Sequence, residues 1–313
     1  MLASFQRQSP QPLSMFSKAC ESEGQALFLK TNLKRFCRIL IRQIRERCEN
    51  MVLVILVSDL HGKSLPQDID YSKLHGAYFV GLGDYLPDSL LDDIRYNVVS
   101  KEKLSKIRKT IRSKEASPDE KNKAVNELRK IDKEAFSNLT EKNIGDIIEC
   151  YETLKEQTDE LKKKGIHVRV IHGNRDFPEY LKKVFGKQYK KGEMEKIGEK
   201  WAFYYPNACK FGYEPVRPGE VSIEERKKMI KQCHKRIPDI FFCHTPPAGT
   251  PISTYYGKEV GDEVLEKFLR KINTKRGQKK IQICSGHLHQ AREENILMEI
   301  HILSVYPFCL TKL

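Results

Sequence analysis

Five times in this 313-residue chain a short apolar run breaks into a small cluster of Asp, His, Asn or Gly. MVLVILV (51–57) leads into Ser58-Asp59-Leu60-His61-Gly62, AYFVGLG (77–83) into Asp84, and IHVRVI (166–171) into His172-Gly173-Asn174-Arg175-Asp176. DIFFC (239–243) leads into His244-Thr245-Pro246-Pro247, and IQICS (281–285) into Gly286-His287-Leu288-His289. A short continuous apolar run bounded by turn residues suits a strand buried on both faces. Residues just past the ends of such strands line the rim where α/β sheets bind ligands. The pattern predicts an α/β fold with its chemistry along one rim of a sheet.

Helical segments separate the strands. SIEERKKMIKQCHKR opens on Ser222 with Glu225 three residues on, a capping-box signature, and stops before Pro238. Residues 261–272 are amphipathic. Ninety residues separate Asp84 from Asn174, more than one crossover needs. The segment at about 95–145 is expected to be an inserted helical hairpin turning near Ser117-Pro118-Asp119. Residues 28–48 place Leu29, Leu33, Phe36, Leu40 and Ile44 at helical spacing among seven basic residues. That suits a basic amphipathic helix covering the core, or sequence upstream of a start at Met51. The expected organisation is an extension over 1–50 and one domain over 51–313.

The formal charge of +14 points toward phosphate-bearing or nucleic-acid partners. Its distribution tempers that reading, because residues 1–50 and residues 101–134 each carry +5. Nine cysteines form no Cys-x-x-Cys pair, which suits reduced, buried thiols and a cytoplasmic location. No apolar run approaches the ~18 residues of a membrane span.

Five of the nine histidines (His75, His167, His172, His234, His301) are assigned to structure. The clusters otherwise supply Asp59, His61, Asp84, Asn174, His244, His287 and His289, seven oxygen and imidazole donors with no thiolate. Seven such groups on one rim suit two divalent cations sharing a carboxylate. Mixed ligation of this kind favours Mn, Fe, Ni or Zn, with manganese preferred here. Two metals roughly 3.5–4 Å apart clamp a phosphate and activate a water. His287-x-His289 on an extended segment sends both imidazoles to one face, so that one can reach each metal.

In their order along the chain, Asp59-x-His61, Gly83-Asp84, Gly173-Asn174, His244 and Gly286-His287-x-His289 resemble the calcineurin-like metallophosphoesterase superfamily. His244-Thr-Pro-Pro-Ala-Gly249 further resembles its prokaryotic His-x-Pro-Pro-x-Gly branch. The resemblance implies a four-layer α/β/β/α sandwich. It also implies a first metal on Asp59, His61, Asp84 and His289. Asp84 as bridge, Asn174, His244 and His287 would hold the second, with attack by a metal-bridging hydroxide on a phosphodiester or phosphomonoester.

One position departs from the pattern. Where the superfamily usually has Gly-Asn-His, whose histidine contacts phosphate and protonates the leaving group, this chain has Gly173-Asn174-Arg175. Arginine is no general acid near neutral pH, but it binds phosphate oxygens bidentately and offsets transition-state charge. Asp84, Asn174 and Arg175 are therefore the candidate catalytic residues. The competing reading of Arg175 is a surface pair with Asp176.

Two other functions compete with small-ester hydrolysis. A non-catalytic scaffold would keep the fold and the metal set. A nucleic-acid-processing phosphodiesterase would use the basic hairpin to guide a backbone. Residues 201–213, WAFYYPNACKFGY, could then stack bases, although an edge strand packed on the core explains them as well. Oligomeric state has no sequence signal.

Overall fold

A computed structural model of the chain describes residues 52–67, 69–206, 215–255, 258–273, 281–287, 292–297, 300–304 and 308–312. The N-terminal extension, with its basic amphipathic pattern, lies outside the described residues.

The five apolar runs are strands, but they divide between two sheets. Strands β1 (Leu53–Val57), β2 (Tyr78–Gly81) and β3 (His167–Val170) run parallel in the first sheet. Between β2 and β3 lie helices α1 (Asp88–Tyr96), α2 (Lys101–Arg112), α3 (Pro118–Ser137) and α4 (Glu141–Lys163). Helix α5 (Pro178–Phe185) follows, then the hairpin β4 (Glu193–Ile197) and β5 (Lys200–Tyr205), helix α6 (Ile223–Gln232) and strand β6 (Ile240–Cys243). A short ribbon, β7 (Thr254–Tyr255) and β8 (Lys258–Glu259), precedes α7 (Glu263–Asn273) and β9 (Ile281–Ser285). Strands β10 (Arg292–Leu297), β11 (Ile300–Ser304) and β12 (Phe308–Lys312) complete the order.

The first sheet runs β12-β1-β2-β3 and the second β10-β11-β9-β6-β5-β4. Residues 201–205 are therefore not at an edge. The hairpin adds β4 outside β5, and Phe203, Tyr204 and Tyr205 are wholly buried, which removes them as base-stacking residues. Residues 207–213 of that stretch lie outside the described residues.

Two apolar layers explain the sandwich. Val54, Leu56, Val80, Leu82 and Ile171 from the first sheet pack with Ala202, Tyr204, Ile240, Phe242 and Cys284 from the second. On the far face of the second sheet, Phe203, Phe241 and Ile283 meet Met229 and Ile230 of α6 and Leu265, Phe268 and Leu269 of α7. Side chains alternate between faces along each strand, so one run feeds both layers. The result is the expected α/β/β/α arrangement.

The insertion is built from capped helices. Ser100 caps α2, Ser117 and Glu120 form a capping box on α3 with Pro118 in its first turn, and Thr140 with Asn143 does the same for α4. Ile107, Ala124 and Ile131 form its own small core between α2 and α3. Its polar anchor is Asp132, fully buried, whose carboxylate accepts from Arg95 Nε at 2.7 Å and Arg217 Nε at 2.9 Å.

Register positions the site. Val57, Gly81 and Val170 stand side by side at the ends of the first three strands. Tyr205, Cys243 and Ser285 stand level at the ends of β5, β6 and β9. The polar residues that follow each strand are thereby gathered along one line, although they come from two sheets.

Candidate metal centre

Backbone hydrogen bonds tie neighbouring strand ends together within each row, and one bond to a carboxylate crosses between the rows. Asp59 N–H donates to Gly83 O at 2.9 Å, His61 N–H to Asp84 O at 3.1 Å, and Gly286 N–H to His244 O at 3.0 Å. His287 N–H donates across to Asp59 Oδ2 at 3.0 Å, and Ser58 Oγ donates to the same oxygen at 2.6 Å.

The backbone is strained here. Among the described residues, the non-glycine residues with positive φ are Asp59 (55°), His61 (47°), Asp84 (59°) and His287 (75°). Left-handed backbone is uncommon for residues with a Cβ, and where it persists it clusters at functional sites. All four belong to the set of candidate ligands read from the sequence.

One atom organises the centre. His244 is wholly buried and its Nδ1 lies 2.8 Å from Leu82 O, so Nδ1 carries the proton and Nε2 presents a lone pair. That Nε2 lies 3.1 Å from Asn174 Oδ1, 3.1 Å from His287 Nδ1 and 3.6 Å from Asp84 Oδ1. Asn174 Oδ1 is in turn 3.1 Å from His287 Nδ1. Donor atoms of Asp59, Asp84 and His244 all lie within 4.8 Å of one another, and all three residues are buried. Imidazole, amide and carboxylate groups brought this close around one point are a donor set that fits divalent metal. A Cβ at residue 173 would stand 2.2 Å from Asp84 Oδ1 and 2.7 Å from His244 Cε1, so only glycine leaves room for this packing. His289 lies outside the described residues.

Burial acts to raise the Asp84 pKa, but neighbouring positive charge, Arg175 included, outweighs burial and the repulsion of Asp59 and holds it below the usual range.

Arg175 and Asp176 do not form a surface pair. Asp176 is fully buried, and its carboxylate accepts from Asp84 N–H (2.7 Å), Gly173 N–H (2.8 Å), Tyr85 N–H (3.0 Å) and Tyr151 Oη (3.3 Å). Burial and the nearby Asp84 push its pKa up to about 7. The Arg175 guanidinium turns the other way. It pairs with Asp88, its Nη1 lies 3.4 Å from His61 Nδ1 and its Nε 3.6 Å from Asp84 Oδ2, while its own N–H donates to Asp84 Oδ1 at 3.0 Å.

Sequence reading missed three participants. Asp176 braces the two turns that carry Asp84 and Asn174, and its place two residues after Asn174 was the available signal. Asp88 holds Arg175 and lies 3.7 Å from His61 Nδ1. Gly219 brings the loop before α6 against the centre, where an added Cβ would fall 1.8 Å from Gly173 O. That last contact joins residues far apart in sequence and has no local signature.

The sequence model of the calcineurin-like phosphoesterase family matches residues 52–291. No curated protein matches the chain. Similar solved structures include TT1561 of Thermus thermophilus, at 12% identity over 81% of this chain and 88% of that one, with a TM-score of 0.45. The 5'-nucleotidase from Candida albicans SC5314 is 12% identical over 82% of this chain and 45% of that one, with a TM-score of 0.39. The calcineurin-like phosphoesterase YfkN from Bacillus subtilis is 11% identical over 84% of each chain, with a TM-score of 0.36.

Proposed function

The chain belongs to the calcineurin-like phosphoesterase family, and from that premise we propose that it hydrolyses phosphate esters with two divalent cations. Asp59, His61, Asp84, Asn174, His244, His287 and His289 hold the cations, with Asp84 shared between them and manganese the favoured metal. The observation that carries this reading is the buried convergence of His244 Nε2, Asn174 Oδ1 and His287 Nδ1 at 3.1 Å, with the His244 tautomer set by Leu82. When bound, the metals supply Lewis acidity toward phosphoryl oxygens and a nucleophile at neutral pH.

The chain's own residues do the rest. Asp176 fixes the backbone N–H groups around Asp84, so the shared carboxylate keeps its aim. Arg175 stands beside Asp84 and His61, where its guanidinium can take phosphoryl oxygens in a bidentate grip and offset their charge. Arg175 cannot return a proton to the leaving group. General-acid help is typically worth about 10²–10⁴ in rate, so esters with acidic leaving groups, aryl ones above all, are the substrates least affected.

The test is hydrolysis of bis-p-nitrophenyl phosphate and p-nitrophenyl phosphate by Mn²⁺-reconstituted protein, with Asn174→Ala alongside. Turnover of either ester that disappears in the variant supports the reading, and the ratio of the two separates diester from monoester preference. Two bound metals per chain with no turnover would put a metal-binding scaffold of the same fold in its place. The feature that favours the scaffold is Arg175 standing where the family commonly has histidine.

A further inference from the structure

The insertion carries a concavity of its own, separate from the metal centre. It encloses about 730 Å³ and is lined by Tyr96 at the end of α1 and by Lys101, Arg108, Lys109, Arg112 and Lys114 on and just after α2. Glu115 is the one carboxylate on its wall. Lys101, Arg108 and Arg112 recur at positions i, i+7 and i+11, so they share one face of α2. That face runs ~16 Å along the axis at 1.5 Å per residue.

What sets these cations apart is that they are gathered about one concavity. On α4, Lys155 and Lys162 pair with Asp159, and Lys163 pairs with Glu160. In the concavity, Arg108 is held by Asp92. Among the described residues Lys101, Lys109, Arg112 and Lys114 have no ion-pair partner, and Lys101 Nζ lies 5.0 Å from the centre of the Tyr96 ring. With Glu115 as the one carboxylate on the wall, the like charges gathered there still outnumber their counter-charge and repel, and an anionic ligand relieves that repulsion.

Helix α1 ties this concavity to the metal centre. Its first residue, Asp88, pairs with Arg175 and lies 3.7 Å from His61. Its last, Tyr96, is part of the concavity wall. Eight residues of helix separate them, ~12 Å of axis, a length that a few nucleotides of extended strand bridge.

We propose that the concavity seats the phosphodiester backbone of a single-stranded nucleic acid whose scissile phosphate lies at the metal centre. This rests on the phosphoesterase reading above and names its substrate class; the sugar-hydroxyl leaving group takes its proton from water, because Arg175 has none to give. The chemistry that selects a strand over a lone phosphate is the length of the basic face together with the aromatic ring beside it. A positively charged groove with an aromatic platform is how single strands are held without sequence preference. Lys101, Lys109, Arg112 and Lys114 contact backbone phosphates, and Tyr96 offers its ring to a base.

The experiment is fluorescence anisotropy of a labelled oligo-dT of about 12 nucleotides, within the range one such site covers. The full chain is titrated in EDTA, where no hydrolysis occurs, and compared with K101A/K109A/R112A/K114A. All four residues are exposed on the helix or just beyond it, and unchanged turnover of bis-p-nitrophenyl phosphate by the Mn²⁺-loaded variant certifies its fold. Each phosphate contact contributes about 0.7 to the slope of log K against log salt for single strands, so losing four should flatten that slope by about 2.8. Those contacts alone account for a loss of about 50-fold between about 50 and 200 mM salt in the unmodified protein, and the variant should not show it.

Equal affinity and equal slope for the two proteins would overturn the proposal. So would competition by inorganic triphosphate as effective, per phosphate, as the oligonucleotide, which would make this a small-anion site. Binding to vesicles of anionic phospholipid with none to the oligonucleotide would assign the patch to a membrane surface and overturn it too. Oligonucleotide binding with the expected slope, beside absent turnover of the aryl esters, would locate the failure in the enzymatic reading alone.

Discussion

Two buried polar clusters lie within one domain and are built on opposite principles. In the clamp that anchors the insertion, opposite charges meet. Asp132 takes Arg95 on one oxygen and Arg217 on the other, and Glu220 takes Arg129. In the strand-end cluster, imidazole, amide and carboxylate groups crowd together instead. His244 Nε2, Asn174 Oδ1 and His287 Nδ1 stand 3.1 Å apart, with Asp84 and Asp59 beside them. The first cluster is complete and holds the structure together. The second gathers a donor set that fits a divalent cation. Buried polar groups are costly unless matched, so metal dependence is expected of the second cluster and not of the first.

Metal addition puts the largest strain on that comparison. Mn²⁺ at about 100 times its Kd stabilises the folded chain by about 2.7 kcal/mol, a rise of ~5–10 °C in Tm for a domain of this size. Asn174→Ala should remove most of that rise and cut aryl-ester turnover by more than the 10–100-fold typical of outer partners. A Tm that Mn²⁺ leaves untouched in the unmodified protein would make the strand-end cluster another self-contained network.

Asp132→Asn should show the reverse pattern: a loss of about 3–5 kcal/mol in urea unfolding, as expected when one partner of a buried pair is removed, with the Mn²⁺ increment retained. The pH dependence is fixed in sign. Burial acts to raise the Asp132 carboxyl, but Arg217 and Arg95 outweigh it and hold the folded pKa below the usual carboxylate range. A depressed carboxylate stabilises above its unfolded pKa of ~3.9, and that contribution is lost as pH falls through the folded value. The gap between Asp132→Asn and the unmodified protein should therefore be full at neutral pH and close below about pH 4. A gap that widened in acid would contradict the clamp.

How much of this was legible in the sequence follows from the range of each contact. The candidate ligands follow strand ends, and strand ends are local: the strands stop at Val57, Gly81, Val170, Cys243 and Ser285, and the donors come within the next few residues. What no local pattern carries is the division of the five strands into two sheets. That division is set by which strands pair, and β5 enters the interior of the second sheet because a hairpin partner lies outside it. The clamp is equally hidden, since Arg95, Asp132 and Arg217 are separated by 37 and 85 residues. Charge counting sees the same insertion only as a basic surface.

Gly219 offers a smaller and sharper test, because it touches the centre from outside both clusters. Its φ is not in the left-handed region, so Gly219→Ala changes only the space against the backbone of Gly173 and Asp176. Overpacking costs about 1–3 kcal/mol. If roughly half of it falls on the Gly173-Asn174 turn, kcat/KM should drop about 2- to 13-fold. A fall in Tm with activity intact would mean the loop yields and the turn does not.

The smallest effect on aryl esters is expected from Arg175→His, and it bears on a cationic side chain beside the strand-end cluster. Arg175 gives charge to Asp84 and His61 and is held by Asp88. Histidine in its place gives up part of that charge and introduces a group able to donate a proton near neutral pH. On p-nitrophenyl esters, whose leaving group needs little protonation, the two changes oppose each other and turnover should move little. On alkyl phosphodiesters the proton matters, and a gain of about tenfold, below the usual range for general acids because the ring is not yet positioned, is the expected outcome. Comparing the two ester classes in one preparation cancels any difference in metal loading. A uniform change across both would mean that Arg175 acts through charge alone, and that the missing histidine does not limit the chemistry.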